Sequence, residues 1–229
     1  MPTAPSIQAV IFDLDDTLYP ERDYVHSGYR AVAAHLQRCR PGTPEVGEWM
    51  WQRFCRGDSD RMFDTLSAQF GLGLSPAQIA ELVAVYRDHR PTIQPRPEAV
   101  ELLQQLHGLV KLGLLSDGFL PAQQYKLDAL GLEGLFDVVV FTESLGRDCW
   151  KPSPVAFRHI AQRLGVPHAG CVYVADNPAK DFLAPNSLGW RTIQWRRADQ
   201  VHAGRSAPVG GWPQRVVETL DQLRAALGA

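Results

Sequence analysis

IQAVIFDLDDT, residues 7–17, is a short apolar run that ends in a cluster of aspartates. A run of that length, rich in Val, Ile and Phe, reads as a strand covered on both faces, and it predicts strand structure over 7–15. Four further runs share its character: VKLGLLSD (110–117), FDVVVFTE (136–143), GCVYVADN (170–177) and WRTIQW (190–195). Between them lie helical patterns near 97–108, 121–131, 153–164 and 178–188, several with Pro in the first turn. A closing amphipathic stretch, PQRVVETLDQLRAAL (213–227), predicts one more helix. Strands alternating with helices predict an α/β fold with a parallel, Rossmann-like sheet.

The stretch from Pro20 to Pro95 breaks the alternation. It holds helical patterns at 24–39, 45–56, 59–70 and 76–89, the last with Ser75 placed as N-cap, and no convincing strand. Some 75 helical residues are too many for one crossover connection, so an inserted all-helical cap subdomain is expected. The expected division is a core of 1–19 and 96–229 with a cap of 20–95. Aromatics such as Trp49, Trp51 and Phe54 are expected to pack the cap's interior.

The chain has 229 residues, 45% hydrophobic, with a net charge of -2, which excludes disorder and gives no electrostatic case for nucleic acid. No window is apolar enough for a membrane span, and MPTAPSIQAV lacks the basic start of a secretory signal. Cys39, Cys55, Cys149 and Cys171 form no CxxC pair, as expected for reduced thiols in a cytoplasmic protein. The seven histidines show no ligand spacing. Positive charge comes from 19 arginines and only four lysines, Lys111, Lys126, Lys151 and Lys180.

The chemistry sits where strands end. Asp13 and Asp15 are two apart, so an extended chain turns both to one side, where they repel unless a cation or a function compensates. In open parallel sheets the carboxyl edge is also where ligands bind. A solvated Asp-rich turn is the plainer explanation of that pair taken alone. Three further features accompany it: Ser116-Asp117-Gly118 closing the second strand, Lys151-Pro152 after the third, and Asp176 with Asp181 at the tip of the fourth.

The order DxDxT, Ser-Asp-Gly, Lys-Pro and DNxxxD resembles the haloacid dehalogenase superfamily of phosphohydrolases, over Ile7 to about Trp195. The resemblance implies a helical cap between the first two core strands and Mg²⁺-dependent phosphoryl transfer through an aspartyl phosphate. It makes Asp13 the nucleophile and Asp15 the general acid, then base. Ser116 would bind a phosphoryl oxygen and Lys151 would neutralise charge. Asp13, Asp176 and the Asp15 carbonyl would hold Mg²⁺, with Asp181 supporting its water shell. Asp117 and Gly118 would line the substrate, joined by Arg22 and Tyr24 from the segment TLYPERDYVHSGYR (17–30), where Tyr19 and His26 are further candidates. Two departures matter. Ala175 stands where Gly is frequent, and Asp15 stands where the dehalogenases of the superfamily lack an acid, which favours phosphate esters over haloacids.

The expected activity is hydrolysis of a small phosphorylated metabolite, such as a sugar phosphate or nucleoside monophosphate. A phosphomutase, a haloacid dehalogenase and a non-catalytic phospho-ligand-binding module are the alternatives. Arg56 and Arg61, flanking GDSD in the cap, could meet a second acidic group on the substrate or could simply be solvated charges. Lys180 could offset the carboxylates around it.

Overall fold

The computed structural model describes residues 6–228. The ends of the expected core, 1–5 and 229, and the first half of the stretch read for a secretory signal lie outside them. Six strands, β1 (Ala9–Phe12), β2 (Lys111–Ser116), β3 (Val138–Phe141), β4 (Cys171–Ala175), β5 (Arg191–Trp195) and β6 (Arg215–Val217), form one parallel sheet. Its order is β3-β2-β1-β4-β5-β6. The chain therefore runs outward one way from β1 and the other way from β4. The crevice above the carboxyl ends of those two strands is the switch point where such sheets bind ligands.

Nine α-helices accompany the strands among the described residues: α1 (Glu21–Cys39), α2 (Gly47–Cys55), α3 (Met62–Gln69), α4 (Pro76–Asp88), α5 (Pro97–Leu106), α6 (Ala122–Leu130), α7 (Val155–Leu164), α8 (Leu183–Ser187) and α9 (Leu220–Leu227). None is long and apolar enough to cross a membrane.

Every residue of β1 and β4 is buried, which is why both read as unbroken apolar runs. On one face Ile11, Leu115 and Tyr173 pack with Phe157, Ile160 and Leu164 of α7 and with Trp190. Gly113 lets α7 approach: a Cβ there would lie 3.0 Å from Ile160 Cδ1 and 3.1 Å from Ile11 Cγ1.

The chain divides into two compact units, one running up to Arg22 and resuming at Gln94, the other Asp23–Ile93. The second is helical, with its own core of Tyr29, Val32, Leu36, Met50, Phe63 and Leu66, against which Trp49 and Phe54 pack. Its last helix, α4, opens with a capping box. Ser75 Oγ accepts from Gln78 N at 3.3 Å, and Gln78 Oε1 accepts from Ser75 N at 2.9 Å.

Three local expectations need correction. β1 stops at Phe12, not at residue 15, because the chain turns back on itself: Leu18 N donates to Leu14 O at 3.0 Å and Asp16 adopts φ 55°. The helix expected over 178–188 is only α8. Residues 176–182 fold instead into turns in which Asn177 O accepts from Lys180 N and Asp181 N. The helix expected from residue 213 begins at Leu220, capped by Thr219 with Gln222, while Arg215–Val217 joins the sheet edge in register with Ile193–Trp195. The Val216–Val217 pair favours a strand, and a partner about 22 residues away in sequence settles it.

Candidate active site

Asp13 follows β1 and Asp176 follows β4, so neighbouring parallel strands deliver both carboxylates to the switch-point crevice. Asp181 returns to the same place because its turn closes on itself, with Asp181 Oδ2 accepting from Asn177 N at 3.0 Å. One carboxylate oxygen from each of these three aspartates lies within 4.8 Å of the others, and all three side chains are buried.

Lys151 supplies the internal counter-charge. Its ammonium donates to Asp13 Oδ1 at 2.8 Å, Asp181 Oδ1 at 2.7 Å and the Tyr173 hydroxyl at 3.0 Å, with the side chain 0% exposed. Burial alone would push this ammonium down, but Asp13, Asp181, Tyr173 and Asp117 outweigh it and hold Lys151 well above its ordinary value. Burial raises Asp13, opposed by Lys151 and aided by Asp181. Asp176 is pushed well above the carboxylate range by burial, then by Asp181 and Asp13.

Asp176 Oδ2 is buried and has no hydrogen-bond partner among the described residues. An orphaned carboxylate oxygen beside two more carboxylates is the donor set of a hard divalent cation, and the residues fit Mg²⁺.

Asp117 lines the cavity, yet its carboxylate is occupied at its base. It accepts from Thr142 Oγ1 at 2.7 Å and from Lys151 N at 3.1 Å, so it aims the Lys151 loop. Gly118 also lines the cavity. Ser116 ends β2, buried, and its hydroxyl donates to Gln123 Oε1 at 3.0 Å. Asp15 faces the cavity from the turn after β1. Arg22 is half-buried in the first turn of α1 and is not among the side chains lining the cavity. Tyr24 belongs to the helical unit, where its hydroxyl donates to Arg87 O at 3.2 Å and its ring meets Tyr86 and His89.

The cavity holds about 370 Å³. Its lining includes residues that sequence reasoning did not assign to the site: Glu21, Phe119, Gln123, Lys126, Trp150 and His202. Lys126 and Gln123 had a legible signal. Read on a helix, they fall on the stripe of Ala122, Leu127 and Leu130, the buried face of α6. Glu21 lies in the 17–30 segment that the sequence carried to the site but was not singled out there; His202 had no signal, since the loop after β5 reaches the site only through tertiary contacts. Asp16 accepts there from Val201 N at 2.6 Å, and its backbone oxygen accepts from Gln200 Nε2 at 3.0 Å.

A switch-point crevice carrying a buried carboxylate triad with a lysine among them marks a candidate hydrolase site at the carboxyl edge of the sheet. The comparisons name it. A sequence profile of the haloacid dehalogenase-like hydrolases matches residues 7–189, and the chain belongs to that family. It is 32% identical over 199 residues to the glyceraldehyde 3-phosphate phosphatase of Methanopyrus kandleri, covering 83% of this chain and 84% of that protein. It is also 32% identical to the pyrimidine 5'-nucleotidase YjjG of Escherichia coli, over 58% of this chain and 56% of that one. Among solved structures, the HAD-hydrolase YfnB of Bacillus subtilis, bound to magnesium, superposes with a TM-score of 0.72 at 17% identity, over 98% and 100% of the two chains. A 2-haloacid dehalogenase from Pseudomonas syringae gives 0.66 at 25% identity, over 97% and 98%.

Proposed function

We propose that the chain is a Mg²⁺-dependent phosphatase that hydrolyses a small phosphorylated metabolite, a sugar phosphate or nucleoside monophosphate, through an aspartyl phosphate on Asp13. The observation that carries this reading is the meeting of Asp13, Asp176 and Asp181 around Lys151 at the tips of β1 and β4. Relatives that act on glyceraldehyde 3-phosphate and on pyrimidine nucleotides support the substrate class. A cavity of about 370 Å³ suits a small metabolite. No disulfide joins the four cysteines among the described residues, which supports a cytoplasmic setting.

Asp13, Asp176 and the backbone oxygen of Asp15 would hold Mg²⁺, with Asp181 behind them. Bound there, the ion supplies positive charge against the phosphoryl oxygens, which otherwise repel an anionic nucleophile. Lys151 grips Asp13 Oδ1, fixing the carboxylate's rotation and leaving its second oxygen to attack phosphorus in line. Asp15 is ionised in the free site, so the proton it hands to the departing oxygen as the phosphorus–oxygen bond breaks is one that arrives on the monoanion of the phosphate ester. Asp15 then takes a proton from water, whose oxygen attacks the acyl phosphate, releasing inorganic phosphate and restoring Asp13. Burial would raise Asp15, but Lys126 and the Tyr19 hydroxyl outweigh it and hold the carboxyl below its ordinary value, in the ionised form the water step needs.

The test is a panel of phosphometabolites assayed for free phosphate with Mg²⁺ and with EDTA. Release that stops with EDTA and returns with Mg²⁺ is expected. Isomer formation without free phosphate would point to a mutase, and chloride release from haloacids independent of Mg²⁺ would overturn the reading.

A further inference from the structure

Asp15 is held far more tightly than a surface carboxylate needs. Lys126 Nζ donates to its Oδ1 at 2.7 Å, and the Tyr19 hydroxyl donates to the same oxygen. Gln123 Nε2 donates to Oδ2 at 3.3 Å. Both oxygens are therefore engaged, which fixes the rotation of the carboxylate about its last bond. The Gln123 amide is itself oriented, because Ser116 Oγ donates to its oxygen at 3.0 Å. Gly118 makes room for it: a Cβ there would lie 2.2 Å from Gln123 Nε2, at a φ of 142°.

These contacts come from the turn after β1, from the end of β2 and from α6. Tyr19 is 0% exposed, and Gln123 and Lys126 are each 4% exposed. Burying a lysine and a glutamine on a helix stripe with Ala122, Leu127 and Leu130 is not explained by stability. Replacing a buried ion pair by apolar side chains is often neutral or stabilising. Asp15 nevertheless keeps about a sixth of its side chain open, on the cavity that Asp13 also lines.

We propose that Lys126, Gln123 and Tyr19 are positioning residues that aim Asp15 at the leaving-group oxygen. The proposal rests on the reading of Asp15 as the acid of the phosphatase reaction. It adds that the acid's aim is set by α6 and the turn, so the clamp matters in proportion to how much the leaving group needs a proton. An alkoxide leaves poorly without one; 4-nitrophenolate leaves readily as the anion.

The experiment compares kcat/KM for glyceraldehyde 3-phosphate and 4-nitrophenyl phosphate, with Mg²⁺, in the wild type and in Lys126→Met. That parameter covers events only through the first irreversible step, departure of the leaving group, so the later use of Asp15 on water does not enter. General acid catalysis contributes about 10²–10⁴-fold, and misaiming the acid forfeits part of that. The alkyl-to-aryl ratio of kcat/KM is expected to fall at least about tenfold in Lys126→Met. Lys126→Arg retains a cation that can bond the Asp15 carboxylate, and it is expected to keep the ratio within about threefold. Tyr19→Phe, which removes one donor and little volume, should lower the ratio by a smaller factor and serves if Lys126→Met fails to fold. An equal loss on both substrates, or no loss, would mean a merely structural ion pair and overturn the proposal. Asp13→Asn separates the two claims: turnover of either ester by that variant would sink the phosphatase reading, whatever Lys126 does.

Discussion

Replacing Lys151 by Met removes the internal cation and little volume. The ammonium now bridges Asp13 and Asp181 at 2.8 and 2.7 Å with no exposure to solvent. Without it three carboxylates within 4.8 Å of one another lose the cation buried among them. Breaking a buried pair by deleting one partner costs about 3–5 kcal/mol, because the remaining charge stays desolvated. For a chain of this length that corresponds to a fall in Tm of roughly 6–20 °C. The variant's carboxylates are left raised above their unfolded values, so the folded state binds more protons than the unfolded one, and stability falls as pH rises. The deficit is therefore expected to be larger at pH 8 than at pH 5.5. Urea unfolding followed by circular dichroism, in EDTA, reads it. Added Mg²⁺ should then restore more stability to Lys151→Met than to the wild type, about 2.7 kcal/mol for every site brought to a hundred times its Kd. A variant in EDTA within about 1 kcal/mol of wild type at both pH values would refute the assignment of Lys151 as the triad's counter-ion.

Gly118→Ala forces a Cβ into Gln123 and a side chain into an unfavourable φ. It is expected to lose about 1–3 kcal/mol of stability and about tenfold in kcat, read by urea melts and phosphate release. Unchanged kcat would show that the Gln123 amide is dispensable. His202 is pushed down to about 4, mainly by burial, then by Arg205 and Lys180. Glu21, 3.6 Å away, is pushed up to about 7 by burial and Asp15, so near pH 5 the two meet as neutral groups. The unfolded chain protonates His202 from about pH 6.5 downward while the fold resists, so this histidine costs stability as pH falls from 6.5 towards 4. With the ring a quarter exposed, His202→Gln should match wild type at pH 7.5 and gain about 1 kcal/mol at pH 5. Equal urea midpoint differences at the two pH values would contradict this.

The catalytic edge was legible because parallel strands bring their tips together. Once IQAVIFDLD and GCVYVADN are strands of one sheet, Asp13 and Asp176 share its carboxyl edge whatever the intervening chain does. Asp181 was legible as a residue but not by its route. On the helix expected for 178–188 the direction of its carboxylate would be set by that helix's axis, whereas the observed turn brings the carboxylate back to Asn177 N. The strand β6 was hidden because three residues at a sheet edge are chosen by a partner elsewhere in the chain, not by their own pattern. Lys126 was legible only through its neighbours, because a lysine within a helix reads as surface charge until it is set on the stripe with Ala122, Leu127 and Leu130.

Three of the chain's four lysines, Lys126, Lys151 and Lys180, line one cavity, in a chain that uses arginine 19 times. Geometry supplies a reason at Lys151. Its ammonium meets three acceptors from three sides in a space closed to solvent, a task for a compact point charge with rotatable donors. A planar guanidinium is longer, binds carboxylates as a fork, and would have to displace Asp13 or Asp181 to enter. Lys151→Arg keeps the charge but not the shape, so it separates the two. If net charge alone mattered, the variant would recover stability and turnover together. The packing around Nζ argues instead that stability in EDTA returns in part, while turnover stays about a hundredfold or more below wild type, because Asp13 no longer points at phosphorus. Phosphate release by Lys151→Arg within tenfold of the wild type would show that charge, not placement, is what the site takes from this residue.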